Sequence, residues 1–230
     1  MDKIWYLKRI NIFEDAGDSC LQRIDKYAIH KYLKKKEPIY LPGDKSDKVY
    51  LLKEGRVKVS KLSEDGREMT LEILEPGEIF GESAMFIDDD RRTTMAEALD
   101  DAMVCIMYQN EFEEILKRQP DLAMKFTREI GSKSREIESK LEDMVFRNVP
   151  ARLAHLLLKL EKKHGKKLPS GIKLDVTLTH LEIANLIGST RETTTTTLNN
   201  LKDEGLINVK NRNIYITDKE GLRELAGVYE

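Results

Sequence analysis

Two helix-start signals separated by a glycine, between Thr179 and Asn200, restrict what this 230-residue chain can fold into more than any other feature. Thr179 stands three residues before Glu182, the spacing at which a hydroxyl and a carboxylate together satisfy free N–H groups of a first helical turn. The helix so opened would bury Leu181, Ile183, Ala184, Leu186 and Ile187 and stop at Gly188. A second pair, Ser189 with Glu192, starts another helix at once. Two helices meeting across a short turn that contains glycine form a helix-turn-helix.

Such a motif sets the first residues of its second helix against base edges in the major groove. Here the candidate DNA-binding set is Thr179, His180, Ser189, Thr190, Arg191, Glu192, Thr193, Thr195 and Thr196. Arginine can give two hydrogen bonds to guanine, and glutamate can accept from cytosine N4 or serve only the cap. An arginine in the first turn opposes the helix dipole, so Arg191 makes better sense facing DNA. The run Thr193 to Thr197 has poor helix propensity, which leaves packing of Leu198 and Leu201 to hold the helix. Beyond it, Leu206–Val209 and Ile214–Ile216 read as a hairpin with a basic tip, a wing. Lys210 and Arg212 are then either phosphate contacts or plain solvent-facing charges.

Upstream the pattern changes twice. Short alternating strands such as Val49–Leu52, Val57–Ser60, Met69–Leu74 and Met103–Met107, broken by turn residues at Pro42-Gly43, Gly55, Gly66 and Pro76-Gly77, predict a small barrel or jelly roll. After Pro120, Asp121 to about Arg147 predicts one long helix. Thr127, Ile130, Ser134, Ile137, Leu141 and Met144 recur along it in steps of three and four, the seam of two helices packing together, so a homodimer is expected. The alternative is a helix that merely covers the barrel. Ala151 to Lys163 reads as an amphipathic helix, and Lys162 to Gly171 as a solvated connection. The domains expected are a sensing domain at 1–120, a dimerisation helix at 121–147 and a DNA-binding domain at 148–230.

Charge agrees with this division. The net charge is -2, but residues from Asn148 onward carry +3 and the remainder -5, so an anionic duplex suits the C-terminal part. Cys20 and Cys105 are too far apart in sequence for a zinc knuckle or iron-sulfur ligand set and read as buried or idle thiols. His30, His155, His164 and His180 stand singly, without a haem-ligand pattern. The first residues hold no signal-peptide run and no stretch has the apolar length of a membrane span, so a cytoplasmic protein without membrane partners is expected. No Walker loop, metal spacing or paired nucleophile and base suggests an enzyme.

Between the last barrel strands lie Gly81-Glu82-Ser83 and, after the acidic run Asp88-Asp89-Asp90, Arg92-Thr93. In outline this is an anion site, with glycine for close approach, a carboxylate for hydroxyls and arginine beside a hydroxyl for a phosphate. Together with the barrel, long helix and winged helix-turn-helix, these residues resemble the CRP/FNR family of transcription regulators over about Trp5 to Ile216. The resemblance implies an α+β chain: a jelly-roll-like β-roll of the cyclic-nucleotide-binding type, a long dimerisation helix and a C-terminal winged helix-turn-helix. It implies double-stranded DNA with a palindromic operator and RNA polymerase as partners. It also implies Glu82 for a ribose 2'-hydroxyl, and Arg92 with Thr93 for a cyclic phosphate. Arg191-Glu192-Thr193 is similar to the opening of the family's recognition helix.

The departures are specific. Where the cyclic-AMP-responsive member has two hydroxyl residues on the long helix, this chain has Ile137 and Glu138, of which Glu138 could accept from an exocyclic amine. Thr196 stands where that member carries a second base-reading arginine. A cyclic nucleotide, another effector, or control by abundance alone therefore stay open, as does a regulatory subunit whose winged helix contacts a protein.

Overall fold

The structure is a computed structural model that describes residues 11–14, 16–85, 91–169 and 171–228. The acidic run Asp88-Asp89-Asp90 lies outside the described residues. Two compact units divide the chain, Met1–Ser134 and Arg135–Glu230.

The first unit is a roll of two antiparallel sheets. Its strands are β1 (Ile29–Leu33), β2 (Pro38–Tyr40), β3 (Lys48–Glu54), β4 (Val57–Leu62), β5 (Glu68–Leu74), β6 (Ile79–Phe80), β7 (Met95–Ala98) and β8 (Ala102–Tyr108). One sheet runs β1-β8-β3-β6 and the other β2-β7-β4-β5. The period-two alternation of strand β3 sends Tyr50 and Leu52 into the roll, among Val57, Val59, Leu74, Phe80 and Val104. Val49 and Leu51 point the other way, against Leu21 and Ile24 of α1 (Asp18–Tyr27) and Phe112 and Ile115 of α2 (Gln109–Arg118). Covered on both faces, β3 reads as a nearly continuous apolar run. Each such side chain contributes about 1.5–3 kcal/mol of burial. Cys20 and Cys105 are both buried thiols, and Cys105 Sγ lies 3.2 Å from His30 Nδ1.

Helix α3 (Pro120–Phe146) has proline at its first position, where a missing N–H costs nothing, and at 27 residues it is about 40 Å long. Leu122, Phe126 and Ile130 pack on the α1–α2 face of the first unit, Phe126 meeting Phe112 edge-on at 5.3 Å. The boundary between the units falls inside this helix.

The second unit holds α4 (Val149–His164), β9 (Gly165–Leu168), β10 (Gly171–Leu174), α5 (His180–Ile187), α6 (Arg191–Asp203), β11 (Ile207–Lys210), β12 (Asn213–Ile216) and α7 (Lys219–Ala226). Asn148 caps α4 by accepting from Ala151 N at 3.0 Å. Leu153, Leu157, Ile183, Ile187, Leu198, Leu201, Ile207, Ile216 and Leu222 form one core. The solvated connection expected over Lys162 to Gly171 is instead a hairpin: β9 pairs with β10, and the sheet runs β11-β12-β10-β9. Its strands are four residues long and exposed along β9, so no apolar alternation announces them. β10 is a strand through its pairing with β12, and β9 through its pairing with β10. No helix among the described residues is long and apolar enough to cross a membrane.

Candidate nucleic-acid interface and effector cassette

Thr179 caps α5 through the reciprocal bonds that its spacing predicted: its Oγ1 accepts from Glu182 N at 3.2 Å, while Thr179 N donates to Glu182 Oε2 at 2.6 Å. Gly188 ends the helix at φ 62, a left-handed conformation that costs glycine nothing. A Cβ there would meet Met144 Cε at 3.1 Å, so the turn sits close on the end of α3 within the second unit. The second start differs from expectation. Ser189 is not the cap: Thr190 is, accepting from Thr193 N at 3.1 Å, and α6 begins at Arg191. The left-handed Gly188 is followed by Ser189 N donating to Ala184 O at 2.9 Å, which closes the first helix and moves the next start one residue on.

The threonine-rich helix is held as its composition required. Thr194, Thr197, Leu198 and Leu201 face the core, and Thr195 and Thr197 donate their hydroxyls to the carbonyls of Arg191 and Thr193, both at 2.8 Å. Arg191, Glu192, Thr193 and Thr196 are exposed. Thr195 is half-buried, 2.8 Å from Nδ1 of the exposed His180, which ties the starts of the two helices together. Ser189 is half-buried in the turn, and Thr179 and Thr190 are exposed caps. Asn199 was not among the sequence candidates, yet it is exposed and continues the line Arg191–Thr195 by four residues. An asparagine there can pair with adenine N6 and N7, and the step of four was the available signal.

The wing turns at Asn211 and Arg212, between the paired residues Lys210 and Asn213. Both turn residues have positive φ, 51° and 64°, as a two-residue hairpin of this twist demands. Lys210 and Arg212 are exposed at this tip. A side chain on a left-handed residue costs about 1–2 kcal/mol, and Arg212 bears it where glycine would not.

On α3 the seam residues separate. Thr127, Ser134, Ile137 and Leu141 are exposed, Ile130 is partly buried in the first unit's core, and Met144 lies beneath Gly188. Val145 and Phe146 are exposed beside them, Phe146 at 82%, so the outward apolar line is Ile137, Leu141 and Val145 in steps of four.

The cassette residues are placed differently from the resemblance. Gly81 is buried at φ 75, and a Cβ there would stand 2.8 Å from the Tyr50 ring and 3.1 Å from Arg92 Nη1. Arg92 is only 4% exposed. Its guanidinium donates to Gly81 O at 2.8 Å and to Lys48 O, and lies over the Tyr40 ring at 4.5 Å and near that of Tyr50 at 5.7 Å. Its Nε is buried without a hydrogen-bond partner but is enclosed, so it offers no accessible donor to an anion. The same burial pushes the Tyr40 hydroxyl pKa up to about 12. Thr93 and Ser83 are exposed, and Glu138 is exposed on α3.

Glu82 starts a short 3-10 turn and is paired with Lys133 of α3, 3.2 Å from its Nζ. Lys133 also donates to Ile79 O at 2.6 Å and reaches Glu72 at 3.3 Å. Although burial alone would lower it, the carboxylates of Glu82 and Glu72 hold the Lys133 pKa above the ordinary lysine value. Burial raises that of Glu72. Neither Lys133 nor Glu72 carries a sequence signal, because a single lysine on a helix and a single glutamate on a strand usually face water. As arranged, the Glu82 carboxylate is paired with Lys133 and the Arg92 guanidinium is turned inward, onto the Gly81 and Lys48 carbonyls.

Comparison with known proteins agrees with both halves. Residues 30–119 match the cyclic nucleotide-binding domain and residues 151–225 the Crp-like helix-turn-helix domain. The chain is 28% identical over 226 residues to a CRP-like cAMP-activated global transcriptional regulator of Mycobacterium tuberculosis, covering 98% of this chain and all of that one. It is 30% identical to the global nitrogen regulator of Synechocystis sp., over 81% of this chain and 83% of the relative. Among solved structures, a CooA mutant from Carboxydothermus hydrogenoformans superposes with a TM-score of 0.78 at 28% identity, over 87% and 88% of the two chains.

Proposed function

The chain belongs to the CRP/FNR family of transcription regulators, and from that premise we propose that it binds palindromic operators as a homodimer and reads them with α6. The observation that carries this reading is the exposed first turn of α6, where Arg191 and Glu192 stand free of the core beside a capped and packed turn. Arg191 would pair with guanine, Glu192 accept from cytosine, and Thr195, Thr196 and Asn199 contact bases farther along. Thr179, His180, Ser189, Thr190, Thr193, Lys210 and Arg212 would hold the phosphates on either side. Thr196 in place of a second arginine gives this operator its own preference at one position.

Dimerisation through α3 is supported by the apolar line Ile137, Leu141 and Val145, which a solitary helix would leave in water. Two recognition helices related by a twofold axis would then meet half-sites about 34 Å apart. RNA polymerase is the partner that a transcription regulator implies. The β-roll is the sensing domain, and its match to the cyclic nucleotide-binding domain supports a small effector. Selection of duplexes from random sequence, followed by affinity measurements across salt, tests the central reading. Enrichment of a palindrome whose binding weakens steeply with salt is expected, and no enrichment would defeat it.

A further inference from the structure

Within the second unit a cleft of about 340 Å³ opens where the last turns of α3 meet α4 and the end of α5. Three cations line it, Lys140, Arg152 and Lys159, with one carboxylate, Asp143, and an apolar surface that includes Met144 and Leu186. The carboxylate is already engaged, taking the Arg147 guanidinium and, at 2.7 Å, the Nδ1 proton of His155. Burial holds the His155 pKa below its ordinary 6.5, so at pH 7 this imidazole adds no charge and Arg147 balances Asp143. The lining therefore carries an excess of positive charge in a partly enclosed place, where a field is focused rather than dispersed by water.

Two of these cations have donors left over. Arg152 Nε is buried without a hydrogen-bond partner, and its Nη1 reaches the Gly188 carbonyl at 3.4 Å, a long bond. Lys159 gives one of its three N–H donors to Ser139 Oγ at 2.9 Å and stands 4.0 Å from Asp143.

We infer that this cleft binds a small organic acid, with its carboxylate held by Arg152 and Lys159 beside Lys140 and a short apolar body laid on Met144 and Leu186. A carboxylate offers a guanidinium two parallel acceptors, and a body of a few carbons removes apolar surface from water that a bare inorganic anion would leave wet. Through the Arg152 contact with Gly188 O, the occupant would sit next to the turn that leads into α6. Gly81 to Thr93 of the cassette belong to the first unit, so the two sites are separate, and this one does not depend on the chain reading DNA.

The test uses the full chain with its methionine methyl groups labelled with carbon-13, butyrate as the probe, and butan-1-ol as a body of the same length without the charge. Butyrate at millimolar concentration should move the Met144 methyl resonance saturably, while those of Met103 and Met107 on β8 stay in place. Arg152→Gln should weaken that binding about tenfold or more. No movement with butyrate overturns the inference, as does an equal movement with butan-1-ol, with sodium chloride at matched ionic strength or with inorganic phosphate. An Arg152→Gln protein that binds butyrate as the wild type does overturns it too. Should that variant fail to fold, Lys159→Gln takes its place, and the wild-type comparisons stand without either.

Discussion

His155 on α4 donates its Nδ1 proton to the Asp143 carboxylate near the end of α3, with the two oxygens at 2.7 and 2.8 Å. Asp143 is buried and also takes the Arg147 guanidinium, with Lys159 4.0 Å away. Arg147 in turn holds Ala226 O at 2.8 Å, so one carboxylate gathers the last turns of α3 and the opening of α4, and through Arg147 the end of α7.

Burial pushes the His155 pKa below its ordinary 6.5, and the Lys159 and Arg147 charges act the same way, outweighing Asp143. Well above pH 6.5 the imidazole is neutral in both folded and unfolded chains. As pH falls below that value the unfolded chain takes the proton first, so stability drops until the folded imidazole also titrates. The urea midpoint of this unit should therefore fall more between pH 7 and 5 in the wild type than in His155→Gln. Parallel slopes would contradict the assignment.

Arg191→Ala should cost about 1–3 kcal/mol at a selected operator and much less on random DNA. Competition binding on both duplexes checks this. Equal losses would mean that Arg191 touches only backbone.

Arg212→Gly should separate stability from function. Relief of the left-handed side chain, partly offset by glycine's greater unfolded freedom, should leave the folding free energy equal or more favourable by up to about 1 kcal/mol, read as a thermal midpoint that does not fall. DNA affinity should fall on every sequence, and the salt slope should flatten by about 1. A variant that binds as the wild type does would make the wing tip ordinary surface.

Leu141→Glu places a charge in the middle of the apolar line at a position 62% exposed in the single chain. Sedimentation should show a dimeric wild type and a largely monomeric variant at micromolar concentration. A monomeric wild type would defeat the dimer reading.

Local signals were legible where one residue dictates one geometry. The Thr179–Glu182 spacing fixed a cap, and a glycine at 188 fixed a left-handed stop. The start of α6 was misplaced by one residue because Ser189 and Thr190 are equally good caps by type, and the path of the chain out of Gly188 chooses between them. The hairpin at Gly165–Leu174 carries no local signal because β10 exists through β12, far along the chain, and β9 through β10. In the cassette, sequence showed which residues stand near one another but not what each had already bound. Lys133 lies fifty-one residues from Glu82, and only the folded roll brings them together.

The clamp at Asp143 also decides where this protein can be cut. A fragment opened at Asn148 would keep the α4 cap but leave His155 without its acceptor and the Ala226 carbonyl without its donor. Opened at Arg135, it carries the whole knot with it. The final turns of α3 are thus part of the DNA-reading body, and anyone dissecting the molecule just before α4 would be severing a joint rather than a hinge.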